Sequence, residues 1–217
     1  MFERLKNDLF IMDSYKRIEE LEKIKGTAKH DLSHVLNVVD RVEQILSQLE
    51  IDSEYVEATK IAALLHDIGC VNGKEEHALQ TYLIVSNYFS EHSMKIPYQN
   101  EILEAIRDHG TGFKSDSLMT LTLILADKLD LTKNRLTSEG YETYGIRQLQ
   151  YIDEIKIIID KQFLRIYFMT KEIIDFKELN EFDFLNKVFK AIQAFSNKQK
   201  LEAIIRLNET VWNRETE

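Results

Sequence analysis

The stretch Ile61-Ala-Ala-Leu-Leu-His66-Asp67-Ile-Gly69 ends an apolar helical run in adjacent imidazole and carboxylate groups. Burying Asp67 among Leu64, Leu65 and Ile68 costs on the order of several kcal/mol unless it is paired or metal-bound. The bland alternative is a helix end whose His-Asp pair faces water. Outward from the doublet lie His34 before it and His77, His109 and Asp127 after it. Asp127 repeats the problem at the end of the apolar run from Leu121 to Ala126, with Lys128 at hand for an ordinary salt bridge. Such groups converging from several helices are what a divalent cation needs, and a pair of such cations can activate water in front of a phosphate.

Periodicity makes the chain mostly helical. Val35, Val38, Val39, Val42, Ile45, Leu46 and Leu49 follow the three-and-four spacing of an amphipathic helix. Asp52 or Ser53 caps the next helix, which is apolar through Leu65 and stops near Gly69, where glycine suits a left-handed turn. Asn72-Gly73 turns into a helix over 74–89, Pro97 precedes one over 99–109, and 117–131 is apolar nearly all round, as a buried helix is. One proline and seven glycines in 217 residues leave little room for long loops. After about Ser138 the pattern changes. Glu154-Ile-Lys-Ile-Ile-Ile-Asp160 and Phe163-Leu-Arg-Ile-Tyr-Phe-Met169 read as two strands, joined through Lys161-Gln162, which is not a favoured two-residue turn. Helices are expected over 181–195 and around 198–207. The expected fold is mainly α: a helical metal-binding core over 1–137 and a small C-terminal α+β extension over 138–217. That extension, a β-hairpin plus helices, packs on the core or at a dimer interface.

Composition excludes several classes. The single cysteine, Cys70, rules out an internal disulfide and fits a reducing compartment. No run of about 18 apolar residues is present to span a membrane, and Met1-Phe-Glu-Arg-Leu-Lys lacks the apolar centre of a secretory leader. A cytoplasmic protein is expected. A net charge of −9 argues against duplex nucleic acid and anionic membranes as partners. It leaves a small phosphorylated substrate open, because bound dications reverse the local field.

The histidines differ in how well they are placed. His34 shares a helical face with Val38, Val42 and Ile45, where a lone histidine is commonly a satisfied core residue. His109, three residues after Ile106 and seven after Ile102, also points inward. His77 sits beside Glu75 and Glu76, so a surface position is an equal alternative. His92 reads as exposed. His30 is either an outer group of the site or part of the start of a helix.

Three segments, His34-Val-Leu-Asn-Val-Val, Leu64-Leu-His66-Asp67-Ile-Gly69 and Leu125-Ala-Asp127-Lys-Leu-Asp130, resemble the H…HD…D signature of the HD-domain phosphohydrolase superfamily. Asp31-Leu-Ser-His34 is similar to the lead-in to that family's first ligand, which favours His34 over His30. Glu104-Ala-Ile-Arg-Asp-His109-Gly resembles the segment carrying an extra histidine in binuclear members, and His77 stands at the place of another. The resemblance covers roughly 29–136. It implies an HD-domain helical core of about five helices. His34, His66, Asp67 and Asp127 would bind one divalent metal. His77 and His109 would hold a second, with Asp67 bridging, as in bacterial diadenosine-polyphosphate hydrolases and cyclic-dinucleotide phosphodiesterases. The implied reaction cleaves a phosphoester or phosphoanhydride bond of a nucleotide-like substrate through metal-activated water, with the metals about 3.5–4 Å apart. Fe, Mn, Ni, Co and Zn all suit such ligands.

Asp67, Glu76 and Lys128 are the candidate catalytic groups; Glu76 would act as acid or base, against the alternative of an ordinary exposed glutamate. Lys128 and Arg135 are the candidates for substrate phosphate, with ion pairing to Asp130 as the alternative. Departures from the family pattern narrow the choice. Cys70 stands where related proteins often carry Lys, and no Gly-Tyr-Pro motif is present, which speaks against the cyclic-di-GMP subgroup. The Asp67-to-His77 spacing is shorter than in the diadenosine-tetraphosphate enzymes. Two rivals stand beside the binuclear reading. One is a mononuclear nucleotidase or pyrophosphatase. The other is a non-catalytic nucleotide sensor whose added β edges engage a partner. The Ile- and Phe-rich tail also offers apolar surface for a homodimer.

Overall fold

The computed structural model describes residues 1–171 and 173–213. Two N-terminal helices, α1 (Phe2–Lys6) and α2 (Leu9–Ile24), lead into α3 (Leu32–Gln48) and α4 (Ser53–Leu65). After them come α5 (His77–Glu91), α6 (Gln99–Asp108) and α7 (Leu118–Lys128). Short polar side chains set the starts. Asp8, Asp31, Asp52 and Ser117 each accept a hydrogen bond from a backbone N–H of the following first turn. α5 begins at His77 rather than near 74, because Glu76 adopts left-handed backbone (φ 51) just before it. The all-round apolarity of α7 has a simple cause: α3, α4 and α6 pack on it from the core, and α10 covers it from the tail.

The tail comprises α8 (Ser138–Glu142), a 3-10 turn (Ile146–Tyr151), β1 (Ile152–Ile159), β2 (Phe163–Thr170), α9 (Phe176–Asn180), α10 (Phe184–Gln199), β3 (Glu202–Leu207) and β4 (Thr210–Val211). The strands form one sheet in the order β1-β2-β3-β4. β1 and β2 are antiparallel, with Ile157 opposite Ile166. Asp160 supplies what Lys161-Gln162 lacks as a turn: its carboxylate accepts from the N–H groups of Gln162 (3.2 Å) and Phe163 (3.1 Å). The helix expected around 198–207 is not formed. Lys200 takes left-handed backbone (φ 57) and stops α10, and Ala203-Ile-Ile-Arg-Leu207 then pairs parallel with β2. A β-branched run beside an open strand edge wins over helical periodicity. The expected hairpin is formed, and β3 and β4 extend it into a mixed four-stranded sheet.

One apolar core runs through core and tail, from Phe2 and Val38 to Leu123, Phe168 and Trp212. The Trp212 ring packs against Phe168, Phe176 and Phe189, and its Nε1 donates to Asn180 Oδ1 at 2.9 Å. The free edge of β1 lies under α3. Gln44 and Gln48 donate to Ile157 O at 3.3 Å each, and Gln48 Oε1 accepts from Ile159 N at 2.8 Å. The two ends of the core are stitched together as well: Ala28 bridges Leu136, and Lys29 N donates to Arg135 O at 2.8 Å. No helix among the described residues is long and apolar enough to cross a membrane.

Candidate metal centre

Five elements deliver the six residues. His34 sits in the first turn of α3, and His66 and Asp67 follow the end of α4. His77 opens α5, His109 follows α6, and Asp127 lies in the last turn of α7. Gly69 has a different task from the left-handed turn expected of it. It is not among the positive-φ glycines; instead a Cβ there would come within 2.5 Å of His77 O and Thr81 N. Its N–H donates to Thr81 Oγ1 at 2.9 Å, so the turn after Asp67 lies directly against the start of α5.

The two oxygens of Asp67 face different partners. His34 Nε2 lies 3.4 Å from Asp67 Oδ2 and 3.3 Å from Asp127 Oδ1; His66 Nε2 lies 3.2 and 3.8 Å from the same two atoms. Asp67 Oδ1 lies 3.4 Å from His77 Nε2 and 3.5 Å from His109 Nε2. Those two imidazole nitrogens are 3.0 Å apart.

Backbone geometry sets the tautomers. His66 and His109 stand where helices end and leave carbonyls unpaired. Their Nδ1 atoms donate to Ala63 O and Ile106 O, each at 2.7 Å. His77 Nδ1 donates to Lys74 O at 3.0 Å. At the start of α3 the unpaired groups are N–H, so His34 turns to a side chain and donates Nδ1–H to Asp130 Oδ2 at 2.7 Å. Every Nε2 is then free to present a lone pair toward Asp67. His34 Nε2, His66 Nε2 and Asp67 Oδ2 are buried without a hydrogen-bond partner. Orphaned groups this deep ask for a counterpart, and the facing lone pairs of His77 and His109 ask for a cation. Imidazole nitrogen with carboxylate oxygen is the donor set of a divalent transition metal. The residues fit such an ion.

Electrostatics agrees. Burial alone would lower the pKa of His34 and of His66. The neighbouring carboxylates of Asp127, Asp130 and Asp67 outweigh it at His34 and raise it to about 9; Asp67 and Asp127 raise His66 to about 10. Burial pushes the Asp67 carboxyl up, but His66 and the other surrounding imidazoles hold it well below the usual carboxylate range. The carboxylates thus recruit positive charge to the place where a cation would sit. Burial lowers the pKa of His109, which keeps its imidazole neutral and ready to ligate. Cys70 lies close enough to Asp67 and His77 to share a ligand group with them, but burial, with help from Asp67, pushes its thiol far up and keeps it neutral.

The remaining candidates are distributed around this centre. The Lys128 ammonium is buried and paired with Asp127 Oδ2. Arg135 is only 8% exposed; its Nη1 lies 4.0 Å from Asp130 Oδ2 and has no hydrogen-bond partner. Glu76 is exposed beside His77, and His92 is exposed just past the end of α5. His30 Nδ1 pairs with Glu22 Oε1 at 2.5 Å, and its ring meets that of His34 edge-on at 5.8 Å. Asp130, expected only as an ion-pair partner of Lys128 or Arg135, is the residue that sequence reading undervalued; its Oδ2 accepts from His34 Nδ1.

Residues 31–132, which include all six of these residues, match the family model described as HD domain. That segment is an HD domain. A crystal structure described as a predicted HD superfamily hydrolase from an uncultured Thermotogales bacterium is similar over 64% of this chain and 80% of its own, at 23% identity and a TM-score of 0.47. No curated protein matches the chain.

Proposed function

We propose that this chain is a two-metal phosphohydrolase that cleaves a phosphoester or phosphoanhydride bond of a small, nucleotide-like substrate. The supporting observation is the division of Asp67, with one oxygen toward His34 and His66 and the other toward His77 and His109. His34, His66, Asp67 and Asp127 would hold one divalent cation, and His77, His109 and Asp67 the second. Such cations, when bound, supply Lewis acidity toward phosphate oxygens and lower the pKa of water. The chain's own groups do the rest. Lys128 neutralises Asp127 Oδ2 and leaves Oδ1 turned toward His34. Arg135 brings a buried guanidinium with an uncommitted N–H, suited to a phosphate oxygen. Glu76, exposed next to His77, would pass a proton to solvent. The nucleotide part of the reading rests on analogy with binuclear members of the family.

A single-metal nucleotidase would leave the lone pairs of His77 and His109 facing each other without a cation. The sensor reading drew on open β edges, and the β1 edge is occupied by side chains of α3. The test is a panel of nucleotides and dinucleoside polyphosphates incubated with the full chain and Mn, Fe, Co or Ni. Release of phosphate or a nucleotide product, abolished in Asp67→Asn, is expected. A metal-loaded chain that turns over none of them would favour sensing.

A further inference from the structure

The proposed imidazole ligands are not anchored alike. His66, His77 and His109 donate Nδ1–H to backbone carbonyls, whereas His34 donates to a carboxylate. That carboxylate is itself fixed. Asp130 is buried, its Oδ1 accepts from Asn37 Nδ2 at 3.3 Å, and Arg135 Nη1 stands 4.0 Å from its Oδ2. An anionic acceptor on the far nitrogen of a ligating histidine locks the ring and makes the near nitrogen a better donor; a neutral carbonyl does so less strongly. The two halves of the centre also differ in make-up. On the His34 side four donors converge, all buried. On the other side Asp67 is joined by His109 and by His77, whose side chain is 26% exposed.

We propose that Asp130 is a positioning residue for His34 and makes the His34, His66, Asp67 and Asp127 site the tighter of two metal sites, filled first. This inference rests on the two-metal reading above. Its test is calorimetric titration of the metal-stripped full chain with Mn2+. The unaltered chain is expected to show two classes of site. Asp130→Asn keeps an oxygen to accept from His34 Nδ1 and removes the charge. It is expected to weaken the tighter class by about 10–100-fold and to leave the weaker class unchanged. The melting temperature of the metal-free variant reports separately on folding. Asn37→Ala loosens Asp130 from its other side and is expected to weaken the same class by less; it carries the test should Asp130→Asn not fold. Two classes in the parent chain, with neither variant affecting the tighter one, would overturn the inference alone. Equal weakening of both classes would overturn it too. A parent chain that binds one Mn2+ or none would overturn the two-metal reading itself, and the inference with it.

Discussion

Asp67 presents its two oxygens to two pairs of imidazoles, and single substitutions around it separate the pairs. His109→Ala removes a donor from one side only. Metal analysis of that variant is expected to find about one ion per chain instead of two; two retained ions would count against His109 as a ligand. Gly69→Ala acts one step further out. Its methyl group meets the backbone at His77 and Thr81, so α5 must shift. Selective loss of the second metal and a lowered Tm are expected in the same variant, by metal analysis and thermal melt. The clustered residues, His77 apart, stood out because their imidazoles and carboxylates lay inside apolar periodicity, where bland explanations are costly. Asp130 did not, because nothing in a linear pattern says which acid turns back to a helix start 96 residues earlier. Gly69 was legible as special but for the wrong reason: close approach and a left-handed turn both ask for glycine.

Among the elements, α9 is tied to the turn before β1 by one buried carboxylate. Glu178 accepts hydrogen bonds from Gly145 N (2.8 Å), from Arg147 Nε and Nη2 (2.7 and 2.9 Å) and from Gln148 Nε2 (2.8 Å). The Arg147 bonds hold its pKa below the ordinary glutamate value of 4.5. A depressed carboxylate contributes stability above its unfolded pKa, and that contribution is lost as the pH falls through the folded value. Glu178→Gln is therefore expected to lower Tm at neutral pH. Arg147 is partly exposed and screened, so the loss is on the order of 1 kcal/mol, about 2–4 °C for a chain of this size. The gap between parent and variant should close as the pH drops through the lowered folded value, beneath 4.5; a gap independent of pH would contradict the assignment. The strand at 202–207 shows why elements are harder to read than buried polar side chains. Ala203-Ile-Ile-Arg-Leu207 satisfies either period, and the deciding factor is the open edge of β2, which is remote in sequence.

At the scale of the molecule, the helical core and the tail share one set of apolar contacts. The tail covers α7, the helix that carries Asp127, so it supports the centre without contributing a donor to it. A chain ending at residue 137 is expected to be insoluble or molten, because the face of α7 that packs on α10 would be bare. A soluble, cooperatively melting 1–137 fragment would contradict this. A change from helical to strand-like composition after about 138 was visible, but the shared core was not, since periodicity shows that a face is buried and not what buries it. The most direct test of the whole account is anomalous diffraction from crystals of the full chain grown with Mn2+. Two peaks about 3.5–4 Å apart on either side of the Asp67 carboxylate are expected, one within bonding distance of His34, His66 and Asp127 and the other of His77 and His109. A single peak, or peaks away from Asp67, would contradict it.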